Sequence, residues 1–132
     1  MSPEQWDATY TEAYRRIADA LARGKSVVYD ETNFLRAQRD AARAIAARCG
    51  AATRLIWVTA PEATARARWQ TNRRASARYD VRDEDFEQVV RRFEEPTEDE
   101  RALLYDGVSP VEAWLASVGI SNSHRDCSPT SW

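Results

Sequence analysis

Apolar residues recur along this chain with two different periods. Within residues 5–23 they repeat at intervals of three and four, a spacing typical of an amphipathic helix with one buried face. Similar spacing predicts helices over residues 36–48, 61–74, 83–95 and 110–117. Pro61 and Pro110 are each expected at the first helical position, which proline favours, and Ser109 forms a capping-box pattern with Glu112.

Three short apolar runs predict β-strands instead, over residues 25–30, 55–58 and 102–105. The continuous apolarity of the second run suits a strand that is covered on both faces. Because helices separate the three runs, we expect right-handed crossovers and a parallel sheet covered by helices, which is an α/β fold. Residues 119–132 are polar and without a pattern, so we expect a disordered tail there.

A parallel sheet of three strands would leave exposed edges, which soluble domains usually avoid. The sequence therefore predicts that strands are missing from the amino end of the fold, or that a protein partner covers the exposed edge.

One tripeptide, Gly24-Lys25-Ser26, resembles the end of the phosphate-binding loop G-x-x-x-x-G-K-[ST]. A working loop follows a strand and opens a helix, whereas this tripeptide follows a predicted helix and precedes a predicted strand. Asp19 also occupies the position of the first glycine. We interpret the tripeptide as a helix stop, with Gly24 at the carboxyl cap and Lys25 against the negative end of the helix.

Composition narrows the class of protein. The chain has 132 residues and a formal net charge of -2, which suits one domain with a modest core and gives no global attraction to nucleic acid or to an anionic membrane. No apolar run is long enough to span a bilayer, and the first residues do not resemble a signal peptide. Cys49 and Cys127 have neither disulfide nor zinc-site spacing. We therefore expect a cytoplasmic protein.

A polar turn, Asp30-Glu31-Thr32-Asn33, directly follows the first predicted strand. Ligands of open parallel sheets bind beyond the carboxyl ends of the strands, where Thr59 and Asp106 are also expected. A carboxylate in that position can hold Mg²⁺ through water, while Thr32 and Asn33 orient phosphate or an acceptor hydroxyl. In the alternative interpretation, Thr32 or Asn33 caps the next helix and Asp30 only ends a strand.

A basic stretch forms the second candidate site. Residues 66–82 carry six arginines and one acid, whereas residues 83–100 carry nine acids and two arginines. Arg74 and Arg78 are four apart and could together clamp phosphate oxygens. Alternatively, the arginines pair with the neighbouring acidic segment. Trp69 in this stretch could stack on a base or pack in the core.

Three segments resemble a family pattern. Residues 27–34, VVYDETNF, resemble the strand and turn of small P-loop kinase-like ATP-binding proteins, which are related to polynucleotide kinases and zeta-toxin-like kinases. Residues 81–100, VRDEDF through RFEEPTEDE, are similar to a later segment of that family. Tyr105-Asp106-Gly107 and Pro110-Val111-Glu112 are similar to its last strand and helix.

The resemblance implies a three-layer parallel sheet of the P-loop NTPase type, binding ATP and Mg²⁺ and transferring the γ-phosphoryl group. Asp30 would lie near the metal and the phosphates, and Thr32 and Asn33 on the acceptor side. Arg74 and Arg78, with Arg73, fall in a lid at about residues 66–95 that closes over the triphosphate. The residues that this assigns to catalysis are Asp30 and Arg78.

The chain departs from the family pattern at its amino end. The family begins with a strand, a GxxGxGKS-type loop and a second strand with an acidic residue, none of which is found before Glu4. We therefore expect residues 1–118 to form the C-terminal portion of the domain, with about three strands retained. Since the loop supplies the main phosphate contacts, we expect weak ATP binding and little phosphate transfer to an acceptor that the sequence does not identify.

Two other functions compete with a kinase. The first is a non-catalytic remnant or pseudoenzyme that acts through protein association at the exposed sheet edge. The second is nucleic-acid binding by the arginines of residues 66–82, which the negative net charge and the lack of interleaved aromatic residues disfavour.

Overall fold

The computed structural model describes residues 3–75 and 81–120. All five predicted helices are confirmed, and two of the three predicted strands are formed. The elements, in chain order, are α1 (Pro3–Ala22), α2 (Arg36–Arg48), β1 (Ile56–Val58), α3 (Glu62–Ala75), α4 (Asp83–Arg92), a 3₁₀ turn (Glu98–Glu100), β2 (Leu103–Tyr105) and α5 (Val111–Ser117). The tail predicted over residues 119–132 lies outside the described residues from residue 121 onward, as does Arg78.

The two strands are neighbours and run parallel, with Ile56 in register with Leu103. The amide of Leu103 donates to the carbonyl of Leu55 at 2.8 Å, and the amide of Thr59 donates to the carbonyl of Tyr105 at 2.8 Å. Since α3 and α4 lie between the strands in the sequence, the α/β class with parallel strands is confirmed. Within the described ranges, however, the sheet has two strands rather than three.

The strand predicted over residues 25–30 is wrong. The segment is not helical, but the backbone of residues 26–30 makes no hydrogen bond to other backbone in the described part of the chain. A strand exists only where a neighbouring strand satisfies its amides and carbonyls, and neither β1 nor β2 lies in that position. The segment is instead attached to α1 through an edge-on contact between Tyr29 and Tyr14, whose ring centroids are 6.1 Å apart.

The helix stop at Gly24 is confirmed. Gly24 has a φ of 73°, and its amide donates to the carbonyl of Leu21 at 2.9 Å. The amide of Lys25 donates to the carbonyl of Ala20 at 3.1 Å. This pair of bonds is the Schellman arrangement, which needs the left-handed backbone that glycine adopts without strain. The tripeptide therefore ends a helix and does not cradle phosphate.

Two predicted helix starts need correction. Pro61 lies just before α3, where its carbonyl accepts from Thr64 and Ala65. Pro110 is the N-cap of α5, and no capping box forms there. The amide of Ser109, which Glu112 would accept in a capping box, donates instead to the carboxylate of Asp106 at 2.8 Å. That carboxylate also accepts the amide of Val108 at 2.9 Å and the hydroxyl of Ser109 at 2.6 Å.

The buried core is smaller than the chain length predicts. Ile45 and Ala46 of α2 are the buried hydrophobic residues of the described chain, at 4% and 6% exposure, and the third buried residue is Arg39. They lie on α2, which packs against α1. Because the sheet has two short strands, it covers little of the helical surface. Among the described residues, no helix combines the length and apolarity needed to cross a membrane.

Candidate functional site

The predicted polar turn lies between the extended segment and α2. Asn33 adopts a left-handed backbone, with φ of 44°, which Asn tolerates better than most residues. Its amide nitrogen donates to the carbonyl of Glu31 at 3.3 Å, and the hydroxyl of Thr32 donates to the Glu31 carboxylate at 3.0 Å. The N-cap of α2 is Leu35, so the interpretation in which Thr32 or Asn33 caps that helix is wrong.

A distant carboxylate, that of Glu94, satisfies the first turn of α2. It accepts the amide of Arg36 at 2.6 Å, and the amide of Glu94 in turn donates to the carbonyl of Phe34 at 2.8 Å. A carboxylate at a helix N-terminus is favoured by the unpaired amides and by the helix dipole. The segment that follows α4 is therefore bonded directly to the residues that follow Asn33.

Arg39 strengthens this connection from inside the fold. Its guanidinium donates to the carbonyls of Asn33 and Glu94, each at 3.0 Å, and forms two bonds to the carboxylate of Glu100 at 2.8 and 2.9 Å. The side chains of Arg39 and Glu100 are 3% and 0% exposed. The bonds from Arg39 hold the pKa of Glu100 at about 2, well below its ordinary value.

Neighbouring charges extend the ion pair into a network. Arg43 also bonds to Glu100, at 2.8 Å, and Arg36 bonds to Asp99 at 2.7 Å. The 3₁₀ turn presents both carboxylates because the side chain of Glu100 folds back to accept the amide of Thr97 at 3.1 Å. Sequence reasoning missed this turn, although Thr97-x-x-Glu100 has the capping-box spacing that could have indicated it.

Asp30 lies at the end of the extended segment and is exposed. Its carboxylate bonds to no residue in the described part of the chain. The carboxylate of Asp106, in contrast, accepts hydrogen bonds from Ser109 and Val108 within its own turn, and these bonds hold the pKa of Asp106 at about 2. Mg²⁺ in phosphate sites is held by one or two carboxylates together with waters and phosphate oxygens. Asp30 fits that role as a single carboxylate; over residues 3–75 and 81–120, no cluster of three metal-binding side chains forms.

The side-chain amide of Asn33 also carries an oxygen atom, which lies in the interior of the protein. This oxygen is buried and accepts no hydrogen bond from any residue within 3–75 and 81–120. A buried acceptor without a donor is costly, so such an atom points to a donor that the described residues do not supply.

Of the five arginines of the basic stretch that the structure describes, three pair with acids, as the second interpretation of that stretch expects. Arg66 bonds to Glu62 and Glu87 at 2.8 and 2.6 Å. Arg73 bonds to Asp83 at 2.6 Å and to the carbonyl of Val81 at 3.1 Å. Arg74 is exposed near the end of α3 and has no ion pair with a described residue. The structure gives no bond that joins Arg74 to the polar turn.

Two aromatic rings connect α3 to α4. Trp69 and Phe86 stack with their centroids 4.6 Å apart and their planes at 6°. Arg73 lies over the Trp69 ring and Arg66 over the Phe86 ring, and the indole of Trp69 donates to the carbonyl of Val81 at 2.9 Å. Trp69 is therefore occupied in packing, and α3 and α4 are held together as a pair.

The two parallel strands and the helices between them in the sequence place the chain among α/β proteins. A family model described as an AAA domain matches residues 1–96 of the 132, and the chain belongs to that family, which is of the P-loop NTPase type and includes kinase-like proteins. Nucleotide binding is the function of this family at the coarse level. Neither the curated proteins nor the solved structures contain a match to this chain.

Proposed function

We propose that this protein is an ATP-binding, kinase-like protein whose family chemistry is transfer of the ATP γ-phosphoryl group to a hydroxyl acceptor. The observation that carries the proposal is the construction of the polar turn. Arg39 holds the carbonyl of Asn33, and Glu94 holds the backbone just beyond the turn. The carboxylate of Asp30 stays exposed and is unpaired among the described residues. A backbone that hydrogen bonds hold rigidly, next to an exposed carboxylate, suits a site that positions a ligand.

Within this proposal, Asp30 holds Mg²⁺ through water, and Thr32 and Asn33 orient the acceptor. When bound with ATP, Mg²⁺ neutralises charge on the β- and γ-phosphates. Residues 1–118 would then be the C-terminal portion of a P-loop kinase-like domain. The stacked pair of α3 and α4 would form its lid, at about residues 66–95, from which Arg74 and Arg78 reach the phosphates.

Arg73 fits this role less well than Arg74. Arg73 contacts Asp83 at the start of α4, the carbonyl of Val81 just before that helix, and the ring of Trp69. We propose that Arg73 stiffens the lid and that Arg74 is the residue of this pair that meets phosphate.

The main argument against an efficient kinase concerns the glycine-rich loop that binds phosphate. The chain contains four glycines, and none of them belongs to a glycine-rich loop that opens a helix. Backbone amides of such a loop supply much of the electrostatic stabilisation in phosphoryl transfer. We therefore propose that this chain alone binds ATP weakly and transfers phosphate slowly.

A second candidate function is non-catalytic association with another protein. The observation that favours it is the exposure of aliphatic side chains beside the sheet, where Val28, Ile56 and Val58 are 94%, 43% and 52% exposed. Strands of parallel sheets are normally covered on both faces, so these residues suit a surface that another chain covers.

Titration with a fluorescent ATP analogue, with and without Mg²⁺, tests the first proposal. We expect weak binding that Mg²⁺ strengthens, and we expect Asp30→Asn to abolish the effect of Mg²⁺. Asp7→Asn is the matched control, because Asp7 is an exposed carboxylate on α1 far along the chain from the turn. Binding that ignores Mg²⁺, or an Asp30→Asn variant that behaves like Asp7→Asn, would contradict the proposed role of Asp30. Undetectable binding in a folded protein would favour the second candidate.

A further inference from the structure

The extended segment before the polar turn directs alternate side chains toward α1. Tyr29 and Glu31 are half-buried, whereas Asp30 between them is exposed. Such alternation is expected of extended backbone, in which successive side chains point to opposite sides. The ring of Tyr29 meets the ring of Tyr14 on α1, so the half-buried side of the segment faces that helix. Glu31 therefore lies toward α1, on the side opposite to Asp30.

A row of aromatic rings lies on the surface of α1 that this segment faces. Its members are Trp6, Tyr10 and Tyr14 of α1 and Tyr29 of the segment, and neighbouring ring centroids are 6.1, 6.4 and 6.1 Å apart. Burial raises the pKa of the phenols of Tyr10 and Tyr29, and the negative charge of Glu31 contributes to both increases. The carboxylate of Glu31 is therefore close to this aromatic row.

Glu31 has no cationic partner within residues 3–75 and 81–120. Its carboxylate accepts the hydroxyl of Thr32 at 3.0 Å, and no arginine or lysine of those ranges forms an ion pair with it. A carboxylate that is partly removed from water is normally paired with a cation. Aromatic rings attract cations as well, through their electron-rich faces. The combination of Glu31 with the aromatic row therefore suits an ammonium group.

Thr32 connects this place to the turn in which the acceptor is proposed to bind. Because a carboxylate only accepts hydrogen bonds, the hydroxyl of Thr32 uses its proton in the bond to Glu31. The oxygen of Thr32 keeps lone pairs that can accept a hydrogen bond from a hydroxyl group of a ligand. Since Thr32 is exposed and adjacent to Glu31, one small molecule can contact both side chains.

We propose that Glu31 and Tyr10 bind the ammonium group of a small compound whose hydroxyl group is held by Thr32. Amino sugars and amino alcohols have this chemistry. The assignment rests on the proposed kinase function, in which this compound is the phosphoryl acceptor. In that transfer the hydroxyl oxygen forms a bond to the γ-phosphorus of ATP, the bond between this phosphorus and ADP breaks, and the hydroxyl proton passes to water.

Two sugars that differ in a single group test the assignment. D-glucosamine carries an ammonium group at the ring position where D-glucose carries a hydroxyl, and the rest of the two molecules is the same. Each sugar is titrated into the full chain without nucleotide, at a pH at which the amine is protonated, and binding is followed by the NMR signals of the tyrosine and tryptophan rings. We expect glucosamine to bind about fivefold more tightly than glucose.

Variants identify the groups that produce this preference. Glu31→Gln keeps an acceptor for the hydroxyl of Thr32 but removes the charge, so we expect it to bind both sugars equally. Glu112→Gln makes the same change at an exposed position of α5 and should keep the fivefold preference. Tyr10→Leu removes a ring of the row and should weaken glucosamine binding about threefold. Circular dichroism confirms that each variant is folded before it is titrated.

Two results would overturn the ammonium site: glucosamine binding no better than glucose to the folded protein, or a preference that Glu31→Gln retains. Since nucleotide is absent, these results are independent of the ATP titration described above. A preference for glucosamine in a protein that binds no ATP would support the ammonium site and remove its role as an acceptor site. ATP binding without that preference would leave the kinase proposal standing and exclude an ammonium-bearing acceptor.

Discussion

Arg39 of α2 and Glu100 of the 3₁₀ turn form an ion pair of 2.8 Å whose two side chains are almost completely buried. The pair joins segments 61 residues apart in the sequence, and Arg39 also bonds to the carbonyl of Asn33. Two segments that carry the family resemblance, DETNF and EEPTEDE, are therefore in direct contact. Through the bond from Arg39 to Asn33, the ion pair fixes the backbone of the candidate site.

The first prediction concerns the cost of breaking this pair. In Arg39→Met, Glu100 keeps a buried negative charge without its main partner, so we expect the free energy of unfolding to fall by about 3 kcal/mol. Urea denaturation followed by circular dichroism measures the change. The double variant Arg39→Met/Glu100→Met should lose less than the single one, because no buried charge is left unpaired.

Arg15→Met is the control for that experiment. Arg15 pairs with Glu12 on the surface of α1, where its side chain is 59% exposed, so its removal should change stability little. If Arg39→Met unfolds at the same urea concentration as Arg15→Met, the buried pair does not support the fold as described.

The second prediction concerns pH. The pKa of Glu100 is about 2 in the folded protein, below the ordinary value of 4.5. A group whose pKa is lower when folded stabilises the protein at pH values above its unfolded pKa, and this contribution disappears as the pH falls through the folded pKa. We therefore expect stability to decline from about pH 5 down to about pH 2.

Urea midpoints measured at intervals across that range test the effect of pH. Glu100→Gln should be less stable at pH 7 and should show a shallower decline, because it has no carboxylate to protonate at this site. Asp106 also has a lowered pKa of about 2, so a residual slope is expected in the variant. An unchanged slope in Glu100→Gln would show that other carboxylates produce the acid sensitivity.

The helices could be predicted from the sequence because their signals are local. The apolar period and the two residues Gly24 and Gly50 define where α1 and α2 end. The failure at residues 25–30 has a different origin: the apolar pattern of Val27 to Tyr29 is that of a strand, but pairing depends on a neighbour that the pattern does not specify. The preference of these residues for β structure predicted the extended backbone, whereas the hydrogen bonds depend on which segments lie beside it in the folded protein.

The sequence predicts where along the chain the candidate site lies, but it does not predict which residues support that site. Asp30, Thr32 and Asn33 stand out because they follow an apolar run. Arg39 bonds to Asn33 from only six residues away, but Glu94 and Glu100, which hold Arg39 in place, lie more than fifty residues further along the chain and have no local signal. The capping box at Ser109 failed for a related reason. Asp106 accepts the backbone amide of Ser109, which Glu112 would accept in a capping box, and sequence spacing does not reveal which carboxylate is closer.

The third prediction concerns the long-range cap on α2. Glu94→Ala removes the carboxylate that accepts the amide of Arg36, so we expect the first turn of α2 to open more often. A cap contributes about 1 kcal/mol, which corresponds to about fivefold faster amide exchange. Hydrogen exchange with mass spectrometry on peptides covering residues 31–40 measures it. Glu95→Ala alters the neighbouring exposed acid and should leave that exchange unchanged.

The last prediction concerns the stack of Trp69 on Phe86, which joins α3 to α4. Phe86→Leu keeps an apolar side chain of similar reach but removes the ring, so the stacking and the contact with the guanidinium of Arg66 are lost. Stacked aromatic pairs contribute about 1 kcal/mol beyond the area that they bury, and we expect amide exchange in α4 to accelerate about fivefold while α1 is unaffected. Val90→Leu is the control, since it changes an aliphatic residue of the same helix and leaves both rings in place. Equal acceleration in both variants would mean that α4 is held by general packing, and that the aromatic stack does not couple the two helices.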